Sequence, residues 1–236
     1  MRIKKILKKF VLPFVIFAVS VPAFSYEAGD TITFGSYHYE KDGTEKPIEW
    51  RILEKYQDGT SLIMSKYLLD ASTYNASWTD TTWENSTIRE WLNGDFYERA
   101  FKDKDKSLIM KSRRKNSDNP KYGTKGGNDT LDNVFLFSAD EAKYYEHFFD
   151  LNAYPTPYVD DKTNAKNAPF FWWLRTPGGN AKRAAVVDDD GEIKYEGDEV
   201  YGKENDVVSY LCITRLRQHS VEWTCHSYKH ICKTAF

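Results

Sequence analysis

The stretch FFWWLRTPGGNAKRAAVVDDDG, residues 170–191, gathers most of the chemistry this chain could do. Phe170, Phe171, Trp172 and Trp173 stand in a row, followed by Arg175, a Pro-Gly-Gly turn and Asp188, Asp189 and Asp190. Aromatic faces bind sugar rings or peptide side chains. A guanidinium stacked on a Trp face contributes about 0.5–2 kcal/mol. If residues 170–175 are a strand, successive side chains point to opposite faces, so one ring of each pair can enter the core and the other must be covered or meet a ligand. Trp172, Trp173 and Arg175 are therefore candidate ligand-binding residues, with Asp188 and Asp190 beside them. The competing reading is plain core packing, since full burial of a large apolar side chain stabilises by roughly 1.5–3 kcal/mol. Trp78 and Trp83 could join such a platform or pack inside.

Asp188 to Glu192 offers four carboxylates within five residues. Calcium takes about six to eight oxygens from such loops. The spacing is not that of an EF-hand, and a hairpin turn with solvated acids explains the run equally. Asp140-Glu141 and Asp160-Asp161 read as helix-start and loop residues. Gly126-Gly127-Asn128 lacks the Lys-Ser/Thr ending of a phosphate loop. No Ser sits in a G-x-S-x-G elbow. His38 and His147 are the only imidazoles between residues 26 and 209, and each reads as an ordinary surface or satisfied side chain. No catalytic residue, metal ligand or cofactor is assigned.

The carboxyl-terminal residues 210–236 hold all three Cys and three of the five His, with no Gly or Pro and one acid. Three readings stay open. Cys212, Cys225, His226, His230 and Cys232 could bind zinc, although their order matches no common finger. Two of the cysteines could pair and leave an odd thiol. The tail could also be out of frame, because reading one base back permits Ala-Leu-Pro-Ala-Phe-x-Asn over Cys212 to His219.

The elements that would position these residues follow from periodicity. Thr31-Ile32-Thr33-Phe34 alternates, as do Ile48, Trp50 and Ile52 with their neighbours. Asp58-Gly59 then joins that run to Ser61–Ser65 as a hairpin. Ser86 caps a helix over 87–93, with Ile88, Trp91 and Leu92 on one face and Gly94 at a left-handed stop. A second short helix carries Phe96, Tyr97, Ala100 and Phe101, and Asp103–Lys106 reads as a solvated turn. Residues 112–130 read as a loop with almost nothing to bury. Val134–Phe137 is a buried strand, and Ser138 and Glu141 form a capping box for a helix bearing Ala142, Tyr145 and Phe149. Residues 150–168 read as loop. Strands at 170–175 and 183–187 follow, and Asp190-Gly191 turns the second into Ile193-Lys194-Tyr195.

The amino terminus decides the compartment expected. Arg2, Lys4, Lys5, Lys8 and Lys9 precede an apolar run through Phe24, and Ala23-Phe24-Ser25 supplies a small-x-small site. Together these are the parts of a secretory signal over residues 1–25, cleaved before Tyr26. The run is shorter than the roughly 20 residues of a membrane span. An uncleaved amino-terminal anchor is the alternative. The signal takes five of the 33 basic side chains and none of the 35 acidic ones, so the mature chain is 28 against 35, a net of −7. Such a balance argues against nucleic acid, which needs clustered Lys and Arg. It argues equally against anionic lipid.

The motifs WWLRTPGG and RAAVVDDDGEIKYEG, with GDTITFGSY, PIEWRILEKYQDGTSLIMSKYLLDASTYN, TTWENSTIREWLNGDFYERAF and GGNDTLDNVFLFSADEAKYY, resemble a widespread bacterial family of domains of unknown function, family 6273. The likeness covers residues 29–200 in order. It implies a final V-R-P-A-L-like strand, which this chain lacks; if the tail is out of frame, the domain lacks its closing strand and has an open edge. The family's second half in turn resembles C-type-lectin-like and sulfatase-modifying-factor folds. That implies an α+β domain of twisted antiparallel sheets, two or three short helices and long loops presenting a binding surface. The formylglycine-generating branch depends on paired cysteines, and residues 26–209 contain none.

The expected organisation is a signal over 1–25, one α+β domain over 27–209, and an atypical tail over 210–236. The expected function is a secreted, non-enzymatic binding domain for an extracellular glycan, peptide or protein, with loops 112–130 and 150–182 around Trp172, Trp173 and Arg175. An exported hydrolase of cell-wall or carbohydrate substrates and a structural module of a surface assembly are the alternatives.

Overall fold

The first three strands, β1 (Thr31–His38), β2 (Glu45–Lys55) and β3 (Thr60–Ser65), form the antiparallel meander that the alternation predicts. Ile32, Phe34, Ile48, Trp50 and Ile52 turn inward, and the Trp50 indole donates to the Phe34 carbonyl at 2.6 Å. Gly59 turns the second hairpin at φ +76°, while Asp58 accepts from the Thr60 N–H and hydroxyl. The computed structural model describes residues 26–202, 208–210 and 213–217. The signal stretch 1–25, together with Cys212, Cys225 and Cys232, lies outside the described residues.

Helix α1 (Thr87–Asn93) starts at Ser86, whose hydroxyl accepts the Arg89 N–H. Gly94 ends it, but at φ −112° rather than in the left-handed region expected. The reason is close approach. Helix α2 (Asp95–Ala100) follows at once, and a Cβ on Gly94 would sit 3.0 Å from the Glu90 carbonyl. Asp103–Lys106 forms the single exposed turn α3. Strands β4 (Asp70–Ser72), β5 (Ser112–Arg114), β6 (Thr130–Asp132) and β7 (Val134–Phe135) lead to α4 (Ala139–Tyr145), which carries the predicted Ser138–Glu141 capping box in full. Residues 150–168, read as loop, contain α5 (Pro157–Thr163). Thr156 caps it, Pro157 opens it, and Asn164 closes it at φ 55°.

The closing strands are β8 (Trp172–Pro177), β9 (Arg183–Val187), β10 (Ile193–Glu199), β11 (Val208–Tyr210) and β12 (Ile213–Arg217). Two five-stranded sheets result, ordered β1-β2-β3-β12-β7 and β10-β9-β8-β11-β4, with β5 and β6 paired as a ribbon. The fold is α+β, antiparallel sheets carrying short helices.

The position of β12 corrects one expectation. Instead of a sheet left open, Ile213–Arg217 lies between β3 and β7, in register from Ile213 opposite Met64 to Arg217 opposite Thr60. Ile213, Thr214 and Leu216 are buried, and Arg215 pairs with Asp58 at 2.8 Å. A strand needs inward apolar or β-branched side chains and free backbone groups, and Ile-Thr-Arg-Leu-Arg supplies both without the V-R-P-A-L spelling. The sheet therefore includes Ile213–Arg217.

Candidate functional site

Trp172 and Trp173 do alternate across β8 as the strand reading requires, but each is only 1% exposed. The Trp172 indole donates to the Leu151 carbonyl and the Trp173 indole to that of Ser72, both at 3.1 Å. Phe137 lies against Trp172 (centroids 6.3 Å apart) and Tyr74 meets Trp173 edge-on at 5.3 Å. The expected ligand platform is thus corrected: β8 is an interior strand flanked by β9 and β11, and both of its faces are covered. Trp83 is also fully buried, donating to Asp132 at 2.9 Å. Of the four tryptophans weighed for a platform, Trp78 alone stays exposed.

Arg175 is not stacked on an indole either. Its buried guanidinium donates to the Leu136 carbonyl at 2.7 Å, to the Lys115 carbonyl at 3.3 Å, and to the Glu141 carboxylate. Burial alone would push the Glu141 carboxyl up. The Arg175 charge and hydrogen bond, the Ser138 N–H and the Arg114 charge overcome that and hold it below the usual carboxylate range. Arg175 thereby ties β8 to the first turn of α4.

Asp188 is buried, and Asp190 is exposed beside it. The Asp188 carboxylate accepts the N–H groups of Asp190 (3.1 Å) and Glu192 (2.8 Å) and pairs with Lys194 Nζ at 2.8 Å. Its pKa is lowered: burial pushes it up, but the Lys194 bond and the Glu192 N–H outweigh burial. Asp188, Asp189 and Asp190 bring one oxygen each within 4.8 Å. With Lys194 already neutralising the most buried of them, the cluster is the internal wiring of a hairpin turn.

Residues 112–130, expected to be a loop with almost nothing to bury, instead open with β5 and end at the start of β6, and the segment between is pinned by two buried asparagines, Asn116 and Asn119. Asn119 donates from Nδ2 to the carbonyls of Pro177 and Tyr195, both at 2.7 Å, and accepts the N–H groups of Lys121 and Tyr122. Gly126 passes so close to Asn116 that a Cβ would lie 2.2 Å from its carbonyl oxygen, which explains the glycine without a phosphate. His38 is satisfied, with Nδ1 2.8 Å from the Gly43 carbonyl and its ring stacked on Tyr158, and His147 is exposed.

Accessible chemistry lies elsewhere, in a cleft of about 550 Å³ between the outer face of β2 and the end of α4. The sequence YYEHFF, residues 144–149, places one ring of each doublet inside and one outside. Tyr145 is buried and Phe149 half-buried. Tyr144 and Phe148, at i and i+4, stand 56% and 68% exposed with centroids 5.2 Å apart. Across the cleft the Arg51 guanidinium lies 5.0 Å from the Phe149 centroid. The β2–β3 register shifts between Ile52 and Glu54, an irregularity of the kind that re-aims a side chain, and Glu54 lines the cleft. Tyr145 donates its hydroxyl to Glu54 at 3.3 Å. Burial, then Glu54, pushes the Tyr56 hydroxyl up to about 12, and burial followed by Glu54 raises that of Tyr145 as well. Both phenols stay protonated at neutral pH. Glu54 is the one carboxylate among the described lining residues. Tyr144 and Phe148 escaped the sequence reading because a helix-face count follows the buried ring of each doublet. The doublets themselves were the signal.

An α+β domain with an interior aromatic strand and one aromatic cleft at a helix end is the class these features define. The family model described as "Domain of unknown function (DUF6273)" matches residues 58–210, more than half of the chain, and the chain belongs to that family. Neither curated proteins nor solved structures gave a match.

Proposed function

We propose that this domain is an exported, non-enzymatic binding module. Its β2–α4 cleft takes an extracellular polypeptide segment through an apolar side chain of the ligand. The observation that carries this reading is the pair Tyr144 and Phe148, large rings left in water side by side at the end of a helix whose other face is core. Leaving two such rings 56% and 68% exposed forgoes about half or more of the roughly 1.5–3 kcal/mol that full burial of each would contribute. Aromatic anchors beside an arginine are also the composition of binding hot spots. Glu54, engaged by Tyr145, and Arg51, lying over Phe149, supply polar groups at the rim that fix orientation. Hydrolysis by paired carboxylates would need a second acid facing Glu54, and the described lining contains none.

The test is a random-peptide display selection on the full chain, with a glycan array in parallel. The expected result is a set of enriched peptides sharing an aromatic or long aliphatic residue, whose capture is lost in the Tyr144→Ala/Phe148→Ala variant. An array of glycans captured through the same two rings would replace the polypeptide with a glycan. Ligands indifferent to both rings would remove the cleft from the function.

A further inference from the structure

Between β4 and α1 the chain crosses residues 77–80 on a frame fixed from inside. Buried Asn75 donates from Nδ2 to the Ser77 carbonyl at 3.0 Å and the Thr79 hydroxyl at 3.3 Å, and accepts the Thr87 N–H at 3.1 Å. The Thr81 N–H donates to the Ala181 carbonyl at 2.7 Å, joining this segment to the β8–β9 loop. Trp78 is nevertheless 45% exposed on that frame. Its ring forms one wall of a second cleft, of about 400 Å³, whose other walls include Asp80, Asn180, Lys182, Arg183 and Glu199. The two clefts share no lining residue.

Three features of this cleft converge on one ligand chemistry. The indole is 45% exposed, with Lys182 Nζ over one face at 5.5 Å from the ring centroid. Two acids are balanced by two bases, so the cleft has no net field to select an anion or a cation. Trp78, Asp80 and Glu199 are all exposed, so the indole N–H and both carboxylates face solvent and are open to a ligand, while the loop backbone around them is bonded. We infer that this cleft is a binding site for a neutral saccharide, one sugar ring stacked on Trp78 with its hydroxyls on Asp80, Asn180 and Glu199. Sugar hydroxyls both donate and accept, which suits carboxylates beside an amide and an ammonium. An apolar peptide side chain on the same ring would cover those carboxylates without pairing them, and unpaired buried charges are costly.

The experiment is saturation-transfer NMR and calorimetric titration of the full chain with a panel of neutral tetrasaccharides (chitotetraose, cellotetraose, xylotetraose and mannotetraose). At least one member is expected to bind. Truncating an aromatic anchor in Trp78→Ala should weaken it by roughly tenfold or more. Trp78→Phe should recover part of that loss, Asp80→Asn should weaken binding, and Leu131→Ala, on an exposed apolar side chain outside the cleft lining, should leave it unchanged. Thermal melts of the Trp78 variants matching wild type would show that the losses are local. Failure of all four sugars to bind, equal affinity in Trp78→Ala, or displacement of the sugar only by peptides that need no Trp78, would each overturn the assignment.

Discussion

Buried Arg175 and half-buried Glu141 form an ion pair that locks an interior strand to a helix start, and the same carboxylate accepts the Ser138 N–H that closes the α4 capping box. One carboxylate thus serves two constraints on the helix that carries Tyr144 and leads into Phe148. Arg175→Leu strands the Leu136 and Lys115 carbonyls and removes one of the two cations on Glu141, so it should lower the unfolding free energy by about 1–3 kcal/mol. The double variant Arg175→Leu/Glu141→Leu should lose less than the sum of the singles, as measured by urea denaturation.

The same pair predicts a pH dependence. A carboxyl held below its unfolded pKa stabilises the fold above that unfolded value and loses the contribution as pH falls through the folded one. Below about pH 4 wild type should therefore destabilise more steeply than Glu141→Gln. Unfolding midpoints recorded from neutral pH downward check this, and parallel acid limbs would refute it.

Strand β12 should behave as core. Leu216→Ala should destabilise by about 2–5 kcal/mol, the range for deleting a buried Leu side chain. A chain ending at Tyr210 should lose its cooperative melt, because β3 and β7 would face an empty central position. A melt unchanged by either alteration would contradict the strand assignment.

Burial separates the two sets of aromatics. Trp172→Ala should cost about 3–5 kcal/mol, whereas Phe148→Ala should stay within about 0.5 kcal/mol of wild type. Equilibrium unfolding of both variants distinguishes a core indole from a surface ring.

The hairpin acids predict indifference to metal. With Lys194 and two backbone N–H groups already on Asp188, calcium at about 1 mM, the range that extracellular modules bind, should not raise the melting temperature. A rise of several degrees abolished by Asp188→Asn would reinstate a calcium site.

Local signals carried the fold well. Alternation at Thr31–Phe34, the Asp58-Gly59 turn and the Ser138–Glu141 box each depend on near neighbours, and each stands where its residues placed it. The site was less legible, because burial is a property of the sheet. Trp172 and Trp173 cannot reveal from their own stretch that β11, over thirty residues later, will flank them. Asn119 looked like loop polarity, yet its partners lie at Pro177 and Tyr195. Helix α5 could have been found from Thr156-Pro157, a cap followed by Pro. Its neighbours' loop-like composition hid it.

The exported reading has a simple check: the amino-terminal residue of protein recovered from culture medium should be Tyr26. The binding reading is tested most directly by the affinity ratio between wild type and Phe148→Ala for a display-selected peptide, measured by calorimetry. A roughly tenfold or greater loss, with an unchanged melt, is the result expected for an aromatic anchor. Equal affinities would mean that the rings at the end of α4 bind nothing.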